Sequence, residues 1–412
     1  MNNILRNCKM NKKSLNKRRE KLLNQMKDNE IIILYANSQP TYPRYFLQDN
    51  NFLYFTGLNI PDAIFVMKRS NGKAQFVVFI ERGIPEMEVW EGKKMTKEEA
   101  SNISDIKTVS FLDEFDRKMQ IYLTGAEKCY VNSLGGNLAN PLNKQKIFIQ
   151  KAKEHFPRIA ADEAMKLITP LRAVKDKDEI KQLQKAIDIT AIGIESIRAQ
   201  AKAGMMEYEL EAILKYEANR NNSKHMSFHP IIASGVNAAT LHYHQNHSKI
   251  GANDLVLLDV GAAFNSYCAD ISRTFPVSGK FTNRQKAVYS EVLAVNKAII
   301  EMVKPGITML ELNKKTVDLI SDALIRLKLI KDKKDYFKYY MHSVGHHLGM
   351  DAHDFGPRDK PLEPGHVITV EPGIYIAKEK IGVRIEDDIL VTKTGYKNLS
   401  NNIPKEINDL EK

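Results

Sequence analysis

Cysteine is scarce in this chain: Cys8, Cys129 and Cys268 are the only three in 412 residues. So few and so scattered, they exclude a disulfide framework and a thiolate zinc ribbon, and they favour a reducing, cytoplasmic compartment. Long apolar runs are missing too. No stretch approaches the ~18 consecutive apolar residues of a membrane-spanning helix. The first residues lack the apolar core and small-residue cleavage site of a secretory signal. No H-E-x-x-H occurs, which excludes a zincin site, and neither a low-complexity tract nor an internal repeat stands out. At 43% hydrophobic and 27% charged residues, the composition excludes wholesale disorder.

Acidic residues fall short of basic ones, leaving a net charge of +11. About half of that excess lies in the first twenty residues, where Arg6, Lys9, Lys12, Lys13, Lys17, Arg18 and Arg19 face only Glu20. The rest of the chain carries no basic stripe interleaved with aromatics, so no nucleic-acid partner is indicated. The acid-poor start resembles a mitochondrial presequence, but it is rich in Asn and Lys rather than Ser and Arg. Residues 1–13 therefore read as a solvated, disordered lead-in.

At ~150 residues per domain the length predicts two or three domains. After a helix-compatible stretch from Ser14 to Met26, the apolar runs Ile31–Tyr35, Ala63–Met67 and Gln75–Ile80 have the texture of buried strands. The last of them follows the turn pair Asn71-Gly72. Helical patterns over Thr96–Ser104 and Leu112–Leu123 and a strand at Lys128–Val131 complete an α/β domain over residues 14–172, its end marked by Pro170. From Lys175 to Gly204 the pattern predicts one long amphipathic helix, followed by a second from Met206 to Asn219. Strand-like segments then come in neighbouring pairs: Ile231–Ser234, Leu255–Phe264, Tyr267–Phe275, Val367–Glu371 and Val383–Val391. Helices at Arg284–Val303 and Met309–Leu327 lie among them. This predicts an α+β domain over residues 173–405 with a curved, largely antiparallel sheet, and a tail over 406–412.

The residues that carry chemistry all lie in that second domain. Leu255–Leu258 should be buried, yet the run ends in Asp259, and Asp270 follows inside the next strand-like run. Either aspartate alone is explained by solvent or a backbone amide; two buried carboxylates side by side cost several kcal/mol each unless paired or metal-bound. Four of the eleven histidines, His342, His346, His347 and His353, fall within twelve positions, flanked by Gly345 and Gly349. Imidazole is the commonest metal ligand. Glu371 precedes the chain-turning pair Pro372-Gly373. Alternation places Arg384, Glu386 and Asp388 on one face of the last strand. Asp259, Asp270, His346, Glu371 and Glu386 form a hard, oxygen-rich set that suits Mn²⁺, with Fe²⁺, Co²⁺ and Zn²⁺ also accommodated. Four negative charges exceed what one divalent ion neutralises, and two ions match them. Two metals ~3.5–4 Å apart hold a hydroxide at neutral pH, which is hydrolase chemistry.

The stretches LHYHQN, LLDVG, ADISRTFPVSGKFT, HHLGMDAHD, EPGIYI and VRIEDDILVT resemble the proline-specific aminopeptidases of the aminopeptidase P type. These belong to the pita-bread metallopeptidases, with prolidase, methionine aminopeptidase and creatinase. DNNFLYFTGLNIPDA and EVWEGKKMT extend the likeness into the N-terminal half, a domain of the creatinase/prolidase N-terminal type. The resemblance implies that Asp259 chelates one metal, that Asp270 and Glu386 bridge both, and that His346 and Glu371 complete the other. It implies a hydroxide between the metals attacking an Xaa-Pro bond, with Glu371 as proton shuttle and His353 stabilising the oxyanion. His242 and His342 would border the proline pocket, and Arg384 would contact the substrate side. Tyr375 and Trp90 are weaker matches, the Trp as a wall supplied by a neighbouring subunit of a homodimer or homotetramer. The expected substrates are peptides with proline at the second position. Prolidase, confined to Xaa-Pro dipeptides, is the rival within the fold, and a non-catalytic peptide-binding scaffold the rival outside it. The extra N-terminal domain disfavours methionine aminopeptidase.

Overall fold

The computed structural model describes residues 10–40, 45–132 and 143–411. The basic lead-in up to residue 9 lies outside them; a helix spans Lys12–Gln25, started by Asn11, whose side chain accepts from the Lys13 N–H. The chain divides after Leu171 into two compact units.

The first unit is built on a six-stranded sheet: β1 (Glu30–Tyr35), β2 (Ile64–Ser70), β3 (Lys73–Ile80), β4 (Val109–Phe111), β5 (Lys128–Val131) and β6 (Ala160–Glu163), in the order β4-β3-β2-β1-β5-β6. β1, β2 and β3 pair antiparallel, and the flanking pairs are parallel. Asn71 and Gly72 both adopt positive φ, 51° and 71°, the geometry that turns a two-residue hairpin with the twist of its strands. Ile31 through Leu34 are wholly buried because β1 is central and covered on both faces. Pro170 does not end the unit's last pattern as predicted. It sits inside a helix, Met165–Ala173.

The second unit opens with the long helix, Lys177–Gln200, capped by Asp176 and Glu179 in a reciprocal box. It stops four residues short of Gly204. Eleven strands follow: β7 (His225–Met226), β8 (Ile231–Ser234), β9 (Leu255–Val260), β10 (Ala262–Phe264), β11 (Tyr267–Cys268), β12 (Ile271–Pro276), β13 (Val367–Val370), β14 (Gly373–Ile376), β15 (Ile381–Arg384), β16 (Asp387–Val391) and β17 (Tyr396–Asn398). Every pairing among them is antiparallel. Helices Asn283–Met302 and Met309–Arg326 each start at a threonine whose hydroxyl accepts from the third helical N–H.

The three strand runs predicted as continuous are each broken, and the breaks matter. Leu255–Phe264 divides at Gly261, Tyr267–Phe275 at Ala269–Asp270, and Val383–Val391 at Ile385–Glu386. A Cβ on Gly261 would lie 1.8 Å from the Ala269 carbonyl oxygen, so only glycine lets these two breaks meet. At each break the chain leaves one small sheet for another, which curves the whole and aims a side chain inward.

Candidate metal centre

Asp259 sits near the end of β9, in register with Ser272 of β12 on one side and Ile231 of β8 on the other. Asp270 and Glu386 occupy two of the breaks rather than strand interiors, and both are buried. The Asp270 N–H donates to Asp388 Oδ2 at 3.3 Å, and the Glu386 N–H to the Ser272 carbonyl at 3.0 Å. His346 and Glu371 arrive from loops tied to the ends of β13: Thr369 N–H donates to the His346 carbonyl, and Glu371 N–H to the Val344 carbonyl. Between them Gly345 passes so close to β13 that a Cβ would lie 2.0 Å from the Thr369 carbonyl oxygen. The His346 Nδ1 lies 3.0 Å from the His347 carbonyl, which can only accept, so Nε2 is the nitrogen turned to the carboxylates. It stands 3.4 Å from Asp270 Oδ2 and 3.7 Å from Glu371 Oε1.

Ligand-type atoms of Asp259, Asp270 and Glu386 lie within 4.8 Å of one another, as do those of His346, Glu371 and Glu386, and those of Asp270, His346 and His353. Asp270 and Glu386 are the carboxylates shared between groups. The electrostatics show what such crowding costs. Burial, with Asp259 facing it, pushes the Asp270 carboxyl up to about 6, against the pull of His346. Burial also pushes Glu371 up to about 7, although His346 and Arg384 oppose this. Glu386 is raised well above the carboxylate range by burial and by Asp270, Glu371 and Asp259. Burial would lower the His346 imidazole, but bonding and attraction from Asp270, with Glu371 behind, push it up to about 9. The Asp259 Oδ1 is buried and, among the described residues, has no hydrogen-bond partner. Divalent cations fit this donor set: they would relieve the repulsion and engage the orphaned oxygen.

Behind the carboxylates lies a buried polar frame that the sequence reading missed. The Asn296 side chain donates to the carbonyls of Val370 and Ile385, the residues just before Glu371 and Glu386. Lys405 donates to Asn296 Oδ1 at 2.8 Å and to Asp387 Oδ2 at 2.6 Å. Arg273 donates to Asp387 Oδ1 at 2.9 Å and to the Glu386 carbonyl at 2.5 Å. Ser272 Oγ donates to Glu386 Oε2 at 2.8 Å. Asp387 is held well below the carboxylate range by these two cations, which outweigh its burial. Asp387→Asn should cost about 3–5 kcal/mol of stability, because it strands the buried Arg273 and the half-buried Lys405; urea unfolding of the metal-free protein measures it.

The other predicted residues divide into two sorts. Arg384 is buried and fully engaged, donating to Asp259 Oδ2 at 2.5 Å, Ser272 Oγ at 2.9 Å and the Tyr375 hydroxyl at 2.9 Å. His342 Nε2 meets the same hydroxyl at 2.8 Å, and its Nδ1 lies 3.8 Å from Glu371 Oε2. Burial, then Arg384 and His242, push His342 down to about 4, so its ring is neutral. His353 and His242 are exposed. The His353 ring lies 4.1 Å from that of His346, and burial of its inner part with the neighbouring His346 lowers its basicity. Trp90 lies in the first unit, on a short helix (Glu88–Glu91), and is 82% exposed.

Comparison with known proteins places these geometries in context. Residues 181–393 match the model of metallopeptidase family M24, and residues 15–131 that of the aminopeptidase P N-terminal domain. A Haemophilus influenzae protein named Xaa-Pro aminopeptidase is 32% identical over 98% of this chain and 97% of its own. A solved structure from Bacillus anthracis, described as an aminopeptidase P, superposes with a TM-score of 0.94 at 40% identity, covering 97% of both chains. Aminopeptidase P from Escherichia coli with the inhibitor Pro-Leu gives 0.89 at 28% identity over 98% of both.

Proposed function

The chain belongs to metallopeptidase family M24, with the aminopeptidase P type of N-terminal domain, and from that premise we infer a metal-dependent aminopeptidase that hydrolyses the N-terminal Xaa-Pro bond of peptides. The observation that carries the reading is the convergence of Asp259, Asp270, His346, Glu371 and Glu386 on one small volume. These five would hold two divalent ions, Mn²⁺ by preference for so oxygen-rich a set. When bound, the ions supply activated water at neutral pH and polarise the scissile carbonyl.

The chain's own groups do the rest. Glu371 takes the proton given up by the attacking water and passes it to the leaving prolyl nitrogen. That nitrogen is tertiary before cleavage and carries no hydrogen, so peptidases that grip an extended backbone through N–H have nothing to hold. His242 and His342 border a slot that recognises the pyrrolidine ring instead. His353 donates its ring N–H to the oxygen that gains charge as the carbonyl is attacked. Arg384 holds Asp259 and turns the Tyr375 hydroxyl towards His342. We place the protein in the cytoplasm as a homodimer or homotetramer. Two buried free thiols, Cys129 and Cys268, support the compartment, and the bare Trp90 supports a shared wall. Among the described residues no helix is long and apolar enough to cross a membrane.

An Xaa-Pro-Xaa tripeptide and its Xaa-Pro dipeptide, assayed with Mn²⁺, Co²⁺, Zn²⁺ and no metal, test the reading by mass analysis of products. Release of the first residue from the tripeptide is expected; cleavage confined to the dipeptide would make the protein a prolidase. His353→Ala should lower kcat by roughly 10²-fold, the scale of one oxyanion donor, and leave metal content intact. Because His353 also lies within ligand reach of Asp270 and His346, loss of metal in that variant would make it a ligand instead.

A further inference from the structure

Glu207 is wholly buried, and among the described residues no cation bonds it, yet it accepts five hydrogen bonds. Its Oε1 receives the Ser234 N–H at 2.8 Å, the Ser234 hydroxyl at 2.8 Å and the Asn237 amide at 3.1 Å. Its Oε2 receives the Tyr243 hydroxyl at 2.7 Å and the Ser248 N–H at 2.9 Å. The carboxylate opens the helix Glu207–Arg220, where the aligned peptide dipoles favour negative charge. Its donors belong to the beginning, middle and end of one segment, residues 234–248, which carries His242. That segment packs on the site: Ala238 and Tyr243 lie in one apolar cluster with Tyr375. Tyr375 in turn bonds His342 and Arg384.

We propose that Glu207 is a positioning residue for the reaction: it gathers both ends of the 234–248 segment and so fixes His242 and the Tyr375–His342 pair at the edge of the proline slot. The proposal rests on the Xaa-Pro reading and adds a residue that touches neither metal nor substrate. The chemistry demands a carboxylate rather than an amide. Each oxygen receives one main-chain N–H, which cannot turn round, so an amide NH₂ in either orientation meets a donor head-on.

A double-mutant cycle tests it. Glu207→Gln should lower kcat/KM on an Xaa-Pro-Xaa peptide by about tenfold or more, with two metals per chain retained, since the segment holds none of the five proposed ligands. In a His242→Ala background the same change should cost clearly less than it does alone, because one of the two groups it positions is already gone. Tyr243→Phe removes the bond to Glu207, together with the one the hydroxyl accepts from the His247 N–H, without a clash. It should show a smaller effect with the same coupling, which serves if Glu207→Gln does not fold. A cycle whose effects multiply, an unaltered Glu207→Gln enzyme, or a silent His242→Ala overturns the proposal. An unsubstituted protein that leaves the peptide intact overturns the Xaa-Pro reading itself.

Discussion

Asp270→Ala is expected to reduce kcat/KM by on the order of 10³-fold or more, the loss that follows when water can no longer be activated at neutral pH. The expectation comes from position rather than from conservation of type. Asp270 is one of two carboxylates shared between neighbouring groups of ligand atoms, so removing it disturbs both halves of the centre. Metal stoichiometry, measured on the purified variant, should fall from two ions to at most one per chain. Stability separates this from misfolding. The metal-free variant loses the partner of His346 but should keep a single cooperative melting transition, which a misfolded chain would lack. Turnover within tenfold of the parent at saturating Mn²⁺ would remove Asp270 from the shared position.

Sequence periodicity was sufficient for the elements and insufficient for the site's geometry. Ile31–Tyr35 reads as a strand because burial on both faces needs an unbroken apolar run, and that signal is local. Asp270 and Glu386 read as strand residues because each adjoins an isoleucine, Ile271 or Ile385, within a longer β-rich stretch. Only the pairing partners reveal that the strands part at these two positions, since a break depends on which sheet each half joins. Motif resemblance supplied Arg384 on the substrate side of the site, and its bonds to Asp259, Ser272 and Tyr375 became visible only once those distant residues were placed together. Asn296 was invisible because it lies over seventy positions from the carbonyls it holds, Lys405 because it lies over a hundred from Asn296, and an isolated Asn or Lys carries no periodic mark. Glu207 had a faint signal, an acid at a helix start, which reads equally well as an exposed cap. Its burial comes from the segment that folds over it.

Stripping the metals should make stability fall as pH rises above about 6.5, opposite to the usual behaviour of paired carboxylates. Asp270, Glu371 and Glu386 all have folded-state pKa values above the ~4 of an unfolded chain. These carboxyls bind more protons folded than unfolded. Below about 6.5, His342, His347 and His366, each pushed down to about 4 by burial, act in the opposite direction, and above it stability declines as pH rises. His346, raised to about 9, has the same sign: its contribution is full below the unfolded value near 6.5 and is lost as pH passes through 9. For Glu371 alone, a shift from 4.5 to about 7 corresponds to about 3 kcal/mol. In a unit of this size that lowers Tm by roughly 6–12 °C. Metal acts in the other direction. Protons compete with cations for the same oxygens, so metal stabilises little at pH 5.5 and most at pH 8. The gap in Tm between Mn²⁺-loaded and chelator-treated protein should therefore widen across that range. An equal gap at both ends would mean that the cations bind somewhere other than among these four carboxylates.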